Sequence, residues 1–386
     1  MNWINTLLNN PLILIFLVSF LGVVLGRVGT KNIKLGAAAA LIVGIFFGHA
    51  GYAVPGVFFN LAITMFMATV GLLASRDAFR LLRRYGASFP ILAIAITATG
   101  AVIVFLMAFF FRGQADPIAI AGTFAGALTS SPGLTAALEV TDNSPLITIG
   151  YTLTYPVGLL IVVFFIQLTP RFFRINVEQE KIAFNKEFRA AEEPVINNSS
   201  GNNVFSVVIF FFVIITGMVL GEIRVPLPYI GDINLGAAGG VIITSLIAGY
   251  FGEKLGEVRG ISLRVAPKPL AAIRDIMLPF ALAVIGLNAG AGFLDMLREQ
   301  GIFLILISLV TGLASMLIGF LLGHYVFHIN WIVLAGALCG GMTSTPGLAV
   351  AIDSLKSEEV GIGYGAVYPV AVFCMVFFTK LIILFV

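Results

Sequence analysis

Long apolar runs separated by short polar intervals set the rhythm of this chain. Reading along it gives twelve such segments, near residues 11–28, 35–52, 56–75, 88–111, 117–139, 144–168, 204–223, 234–251, 269–290, 301–323, 331–353 and 360–386. Those at 56–75, 88–111, 204–222 and 301–323 each supply the roughly 20 residues a helix needs to cross a hydrocarbon core about 30 Å thick. The one long polar interval is 170–203, where RINVEQEKIAFNKEFRAAEEP precedes VINNSSGNN. It reads as a linker with room for a short surface helix. The chain divides accordingly into a repeat over 1–168, a linker over 169–203 and a second repeat over 204–386.

Composition places these segments in lipid. Hydrophobic residues make up 59% of the chain and charged residues 11%, against roughly 45–50% and 25% in soluble globular proteins. Met1 to Asn10 carry no basic stretch ahead of the first apolar run, so no cleavable signal is expected there. A formal charge of +3 gives no reason to expect nucleic acid. Cys339 and Cys374 stand alone in apolar stretches, without metal-binding spacing, and read as small buried hydrophobes.

The two halves match along their length. GVVLG at 22–26 answers GMVLG at 217–221, and LGAA recurs at Leu35 and Leu235. TVGLLA from Thr69 answers VIGLNA from Val284, and GALTSSPGLTAAL at 126–138 answers GGMTSTPGLAVAI at 340–352. IGYTLTYPV from Ile149 then answers IGYGAVYPV from Ile362. Duplication explains a register kept this long, and internal repeats are a common construction in secondary transporters.

Charge decides how the segments cross. Lys and Arg near span ends prefer the cytoplasm. Arg27, Lys31 and Lys34 follow the first segment and Arg76, Arg80, Arg83 and Arg84 the third, whereas the loop after the fourth carries only Arg112. If the fifth and eleventh segments both cross, the linker and the loop from Lys254 to Lys268 fall outside, against the rule. If each instead enters and leaves on one side, every loop obeys it. The expectation is therefore an all-α polytopic fold of two inverted repeats, each with five crossings and one re-entrant hairpin. Both termini would lie outside and the linker would be cytoplasmic; twelve simple crossings are the alternative.

The hairpin reading gives the repeated pentads a task. From Pro117 to Leu128 is about 18 Å of helix, enough to reach mid-bilayer, where Thr129 to Gly133 would turn the chain. Backbone unpaired at that depth is tolerated only in protein or along a watery cavity. Ser131-Pro132 and Thr345-Pro346 have the order of a helix start, with the hydroxyl as N-cap. Each new helix would carry about half a positive charge at its start. Two such ends would offset one carboxylate, with Thr129, Ser130, Thr343 and Ser344 completing its hydrogen bonds and Gly133 and Gly347 allowing the turns. The plainer account is that small residues and prolines let helices pack closely.

Other candidates rank behind these. Tyr155-Pro156 and Tyr368-Pro369 lie mid-span, where proline frees a carbonyl, and Tyr151 and Tyr364 sit one turn earlier on nearly the same face. Ordinary kinks are the alternative. Asn288 is a candidate ligand or an interhelical hydrogen bonder, and Arg76 a candidate carboxylate partner or a snorkelling surface cation. Arg274 adjoins Asp275 and, like Lys380, invites the same caution. No Asp or Glu falls mid-span, which argues against a buried-carboxylate ion antiporter. His49, His324 and His328 form no metal-ligand pattern, and nothing resembles a nucleophile with its base, so neither a metal, a cofactor nor an enzyme is expected.

GALTSSPGL and GGMTSTPGL, each followed by a GY...YPV element, resemble the membrane domain of the aspartate:alanine exchanger family over nearly the whole chain outside the linker. The resemblance implies a homodimeric carrier of small amino acids or carboxylates in the bacterial cytoplasmic membrane. It also implies elevator motion, with a scaffold mainly of 1–55 and 204–255 and a transport part mainly of 56–168 and 265–386. Members of that family carry two cytoplasmic regulatory domains between the halves, where this chain has only the polar linker. The expected activity is exchange of small anionic metabolites such as aspartate, alanine or dicarboxylates. Sodium-coupled symport is the alternative, and a channel or a non-transporting membrane module would need neither pentad.

Overall fold

The computed structural model describes residues 8–27, 29–30, 33–34, 38–111, 115–141, 144–188, 206–227, 231–258, 261–263, 265–290 and 302–385. The first half contains helices α1 (Pro11–Gly26), α2 (Ala38–His49), α3 (Val57–Tyr85), α4 (Ser88–Phe110), α5 (Pro117–Ala127), α6 (Ser131–Val140) and α7 (Pro145–Phe172). After α8 (Val177–Phe188) in the linker, the second half repeats the series as α9 (Val207–Glu222), α10 (Gly236–Leu255), α11 (Pro267–Gly290), α12 (Ile302–Leu321), α13 (Trp331–Gly341), α14 (Thr345–Leu355) and α15 (Val360–Phe385). Three two-stranded antiparallel ribbons, β1 (Gly29–Thr30) with β2 (Ile33–Lys34), β3 (Val225–Leu227) with β4 (Gly231–Ile233), and β5 (Glu257–Val258) with β6 (Ile261–Ser262), cap connections. Among the described residues, six helices are long and apolar enough to cross a membrane: α3, α4, α7, α11, α12 with its π-helical extension, and α15. This is a multi-pass membrane protein.

Polar residues place the helix starts. Asn10 caps α1 by accepting from the amides of Leu12 and Ile13, with Pro11 opening the helix. Asp116 and Asn330 do the same for α5 and α13. The linker helix is tied to the second half, because the Glu180 carboxylate accepts from the Trp331 amide at 2.8 Å and Asn330 Nδ2 donates to the Glu180 carbonyl at 2.8 Å.

The fifth and eleventh segments are each broken in two. Helices α5, α6, α13 and α14 have 11, 10, 11 and 11 residues, about 16 Å each and half of what a crossing needs. Close glycine contacts give their directions. A side chain at Gly150 would strike the Ala119 carbonyl, one at Gly122 the Ile147 carbonyl, and one at Gly158 the Ala127 carbonyl. From Ala119 with Gly150 to Ala127 with Gly158 the contacts advance eight residues along each helix, so α5 and α7 run parallel. The chain leaves α5 level with Gly158 yet enters α7 at Pro145, so α6 must lead back toward the end where α5 began. Gly336 against Val360, Gly340 against Tyr364 and Gly363 against Val333 set α13 parallel to α15 in the same way. Small residues at these seams let the backbones meet.

Packing recurs with the halves exchanged. Helix α1 lies on α2 and α9 on α10, while α2 packs along α11 and α10 along α3. The α2–α11 seam is built from Gly44, Gly48, Gly286 and Gly290, and the α3–α10 seam from Gly71, Ser75, Ser245 and Gly249. These seams hold α3 and α11 to the body formed by α1, α2, α9 and α10. In the other body, α6 packs on α15 and α14 on α7. Helix α12 runs with α7, pairing Ser308 with Thr154, Gly312 with Ile161 and Phe320 with Phe165. It runs against α13, pairing Gly319 and Gly323 with Leu338 and Leu334.

Candidate functional site

The two breaks meet. Helix α5 ends with the Thr129 amide bonded to the Gly126 carbonyl and the Ser130 amide to the Ala125 carbonyl, and α13 ends identically through Thr343 and Ser344 on Gly340 and Cys339. This double bond is a Schellman motif, whose C′ position usually takes glycine because it needs a left-handed backbone. Here threonine holds it, with φ 52° at Thr129 and 50° at Thr343. The reason is across the junction. Thr129 Oγ1 donates to the Met342 carbonyl at 3.1 Å, and Thr343 Oγ1 donates to the Leu128 carbonyl at 2.9 Å. Each hydroxyl thus satisfies a helix-terminal carbonyl that would otherwise be buried unpaired.

The caps fall one residue earlier than the sequence suggested. Ser130 Oγ accepts from the Gly133 amide at 3.1 Å, and Ser344 Oγ accepts from the Gly347 amide at 3.2 Å. Ser130 and Ser344 are therefore the N-caps, fully buried and facing their own helices. The hydroxyls of 129, 130, 343 and 344 help to build the tips, and Thr129 and Thr343 also line the cavity described next. Ser131 and Thr345 move to the first helical position, followed by Pro132 and Pro346, which have no amide hydrogen. Their N1 amides are the first-turn donors that neither cap uses.

A cavity of about 580 Å³ opens at this junction, lined by Thr129, Ser131, Pro132, Thr343, Thr345 and Pro346 from the tips and by Tyr155 and Tyr368 from α7 and α15. Its size suits a small metabolite. Tyr151 and Tyr364 lie behind, and Tyr364 Oη and Thr345 Oγ1 are 2.9 Å apart. Tyr364 stacks on Tyr368 and Tyr151 leans on Tyr155, with ring centroids 5.0 and 5.4 Å apart. Tyr364 therefore orients the Thr345 hydroxyl, while Tyr155 and Tyr368 form the wall. Gly133 and Gly347 do not line the cavity, and a side chain at Gly347 would meet Val162 of α7.

The signature of a family described as "Predicted Permease Membrane Region", of the aspartate–alanine exchanger type, matches residues 14–171 and 209–384. The chain belongs to the aspartate–alanine exchanger family. It is 23% identical over 535 aligned positions to an uncharacterized transporter of Desulfotalea psychrophila, covering 98% of this chain and 97% of that one. An uncharacterized transporter of Bacteroides thetaiotaomicron is 24% identical over 533 positions, covering 97% and 98%. Both alignments are longer than the 386 residues here, so these relatives carry segments that this chain lacks. A shorter match, 32% over 185 positions, links 46% of this chain to 34% of an uncharacterized transporter of Symbiobacterium thermophilum. The protein is a membrane transporter by family.

In this exchanger-family chain several wall residues escaped the sequence reading. Helix α3 contributes Phe59, Asn60, Ile63 and Thr64, the end of α9 contributes Glu222, the α9–α10 connection Arg224 and Asn234, and the start of α10 Gly236 to Ala238. Asn60 carried a signal, a lone amide in the apolar run VFFNLAITMF. Asn288 lies elsewhere: its Oδ1 accepts from the Val54 amide at 3.1 Å, joining α11 to the α2–α3 connection, which is the interhelical reading. Arg76 lies on α3, with its side chain outside the described residues. Arg274 pairs with Asp275 and Glu358. Cys339 and Cys374 are buried free thiols.

Proposed function

We propose that this transporter is a secondary carrier that exchanges small anionic metabolites, amino acids such as aspartate and alanine or dicarboxylates, across the bacterial cytoplasmic membrane. The observation that carries the reading is the pair of cross-bonded tips that put two helix N-termini on one cavity. Two such ends together offset about one negative charge. The Ser131 hydroxyl and the Thr345 hydroxyl, the latter held by Tyr364, add donors beside them.

The halves are read as inverted repeats with re-entrant hairpins. In support, α12 runs with α7 but against α13, and α13 runs with α15, so α7 and α15 point in opposite directions. Placing the termini outside and the linker in the cytoplasm agrees with the loop cations. The motion is read as an elevator. The body holding both tips slides past the body formed by α1, α2, α9 and α10, to which the glycine seams add α3 and α11. Homodimerisation would use the outer faces of α1 and α9, where Phe16, Phe20, Phe211 and Phe212 are exposed; cross-linking to a dimer in native membranes tests that.

The test of exchange is counterflow. Proteoliposomes loaded with unlabelled aspartate, alanine or succinate should accumulate the labelled compound, and trans-stimulation by none of them would refute exchange. Uptake into empty vesicles that requires a Na⁺ gradient would replace exchange by symport.

A further inference from the structure

The cavity has a charged wall that the exchange reading leaves without a role. Strands β3 and β4 pair antiparallel with Val225 opposite Ile233, so Arg224 and Asn234 stand side by side at the base of the ribbon. Both face the cavity, together with Glu222. Glu222 and Arg224 are the charged side chains that line it among the described residues. Arg224 is exposed and makes no hydrogen bond or ion pair with another described residue. A guanidinium on a cavity wall without a protein partner offers a planar fork of donors that matches a carboxylate.

The opposite wall is already suited to one carboxylate through the tips. A cavity of about 580 Å³ leaves room for a small molecule to reach from those tips to Arg224. We infer that Arg224 is a specificity-determining residue, which takes the distal acidic group of a substrate whose first carboxylate lies at the hairpin tips. Glu222 opposes it, weakening the pull on anions that bring no positive group of their own. Among the described residues the arrangement is seen in the second half. Arg27 follows GVVLG as Arg224 follows GMVLG, two residues closer, and Arg27 does not line the cavity.

This inference rests on the exchange reading, and the experiment separates the two. Full-length protein in proteoliposomes is assayed for counterflow and apparent affinity with succinate and aspartate, which carry two acidic groups, and with acetate and alanine, which carry one. In Arg224→Gln the preference for succinate over acetate, and for aspartate over alanine, should fall about tenfold, the scale of one lost charge-assisted contact. Arg224→Lys should fall between, and Glu222→Gln should tighten succinate. An unchanged preference in Arg224→Gln, with exchange intact in the wild type, overturns the role of Arg224 and leaves exchange standing. Equal loss for one-acid and two-acid probes also overturns it, because a general field does not discriminate. Failure of the wild type to handle any of the four compounds removes exchange and this inference together.

Discussion

A β-branched residue in the left-handed region costs on the order of 1–3 kcal/mol, and this molecule places one at the same position of both tips. Glycine would remove that strain at Thr129 and Thr343 but would leave the Met342 and Leu128 carbonyls buried without a donor. The hydroxyl must therefore outweigh the strain. Thr343→Val, which keeps the shape and loses the donor, should lower stability by about 1–3 kcal/mol, whereas Thr343→Ser should stay close to wild type. Thermal unfolding in detergent reads both, and an unshifted Val variant would mean the cross-bond contributes nothing. The neighbouring serines separate by role. Ser130→Ala and Ser344→Ala each remove a cap and should cost about 1 kcal/mol. Ser131→Ala and Thr345→Ala should leave the melting temperature nearly unchanged and weaken substrate affinity in counterflow.

At the scale of elements, the parallel seating of α5 on α7 and of α13 on α15 aims both tips at one point, and glycines permit it. Gly150→Leu would drive a side chain into the Ala119 carbonyl, and Gly363→Leu into that of Val333. Each should destabilise by about 1–3 kcal/mol or more and abolish counterflow, while Gly56→Ala, which meets open space, should do neither. Equal behaviour of the three in unfolding and transport assays would contradict this packing. The breaks themselves were legible, because Pro-Gly after two hydroxyl residues cannot continue a buried helix unnoticed. Which hydroxyl caps was not. In Ser-Ser-Pro-Gly either serine suits the role, and the choice falls to Ser130 because the left-handed Thr129 fixes the next residue as extended, with φ −98° and ψ 103°. Arg224 and Asn234 were illegible as wall residues, since only the register of β3 on β4 brings them together. Asn288 was legible as polar, but its partner lies 234 residues away.

At the scale of the whole molecule, the two repeats differ in the ion pairs that their matching positions form. Phe59 and Asn60 at the start of α3 line the cavity. The positions that answer these in the second half, counted from the repeated TVGLLA and VIGLNA, are Arg274 and Asp275. There Arg274 bridges to Glu358 in the α14–α15 connection and also holds Asp275 at 2.7 Å. Helix α11 belongs to one body and the α14–α15 connection to the other, so this ion pair spans the surface along which they would slide. Its counterpart in the first half, counted from IGYTLTYPV and IGYGAVYPV, is Phe59 with Pro145, a pair that forms no salt bridge. If the proposed elevator motion holds, this pair acts as a latch on the present state. Both side chains keep about a fifth of their surface exposed, 19% and 22%, so solvent screens the pair and its contribution is about 1 kcal/mol. That moves a two-state equilibrium roughly fivefold. Arg274→Glu should therefore weaken apparent succinate affinity at the present opening about fivefold by depopulating the state that binds it. Because the effect is on population, the reversal Arg274→Glu with Glu358→Arg should restore affinity, although neither residue touches the cavity. If the double variant is no better than the single ones in the proteoliposome assay, the pair is an ordinary surface contact and any bias toward this state comes from elsewhere, such as the Tyr368 hydroxyl on the Leu235 carbonyl at 3.3 Å.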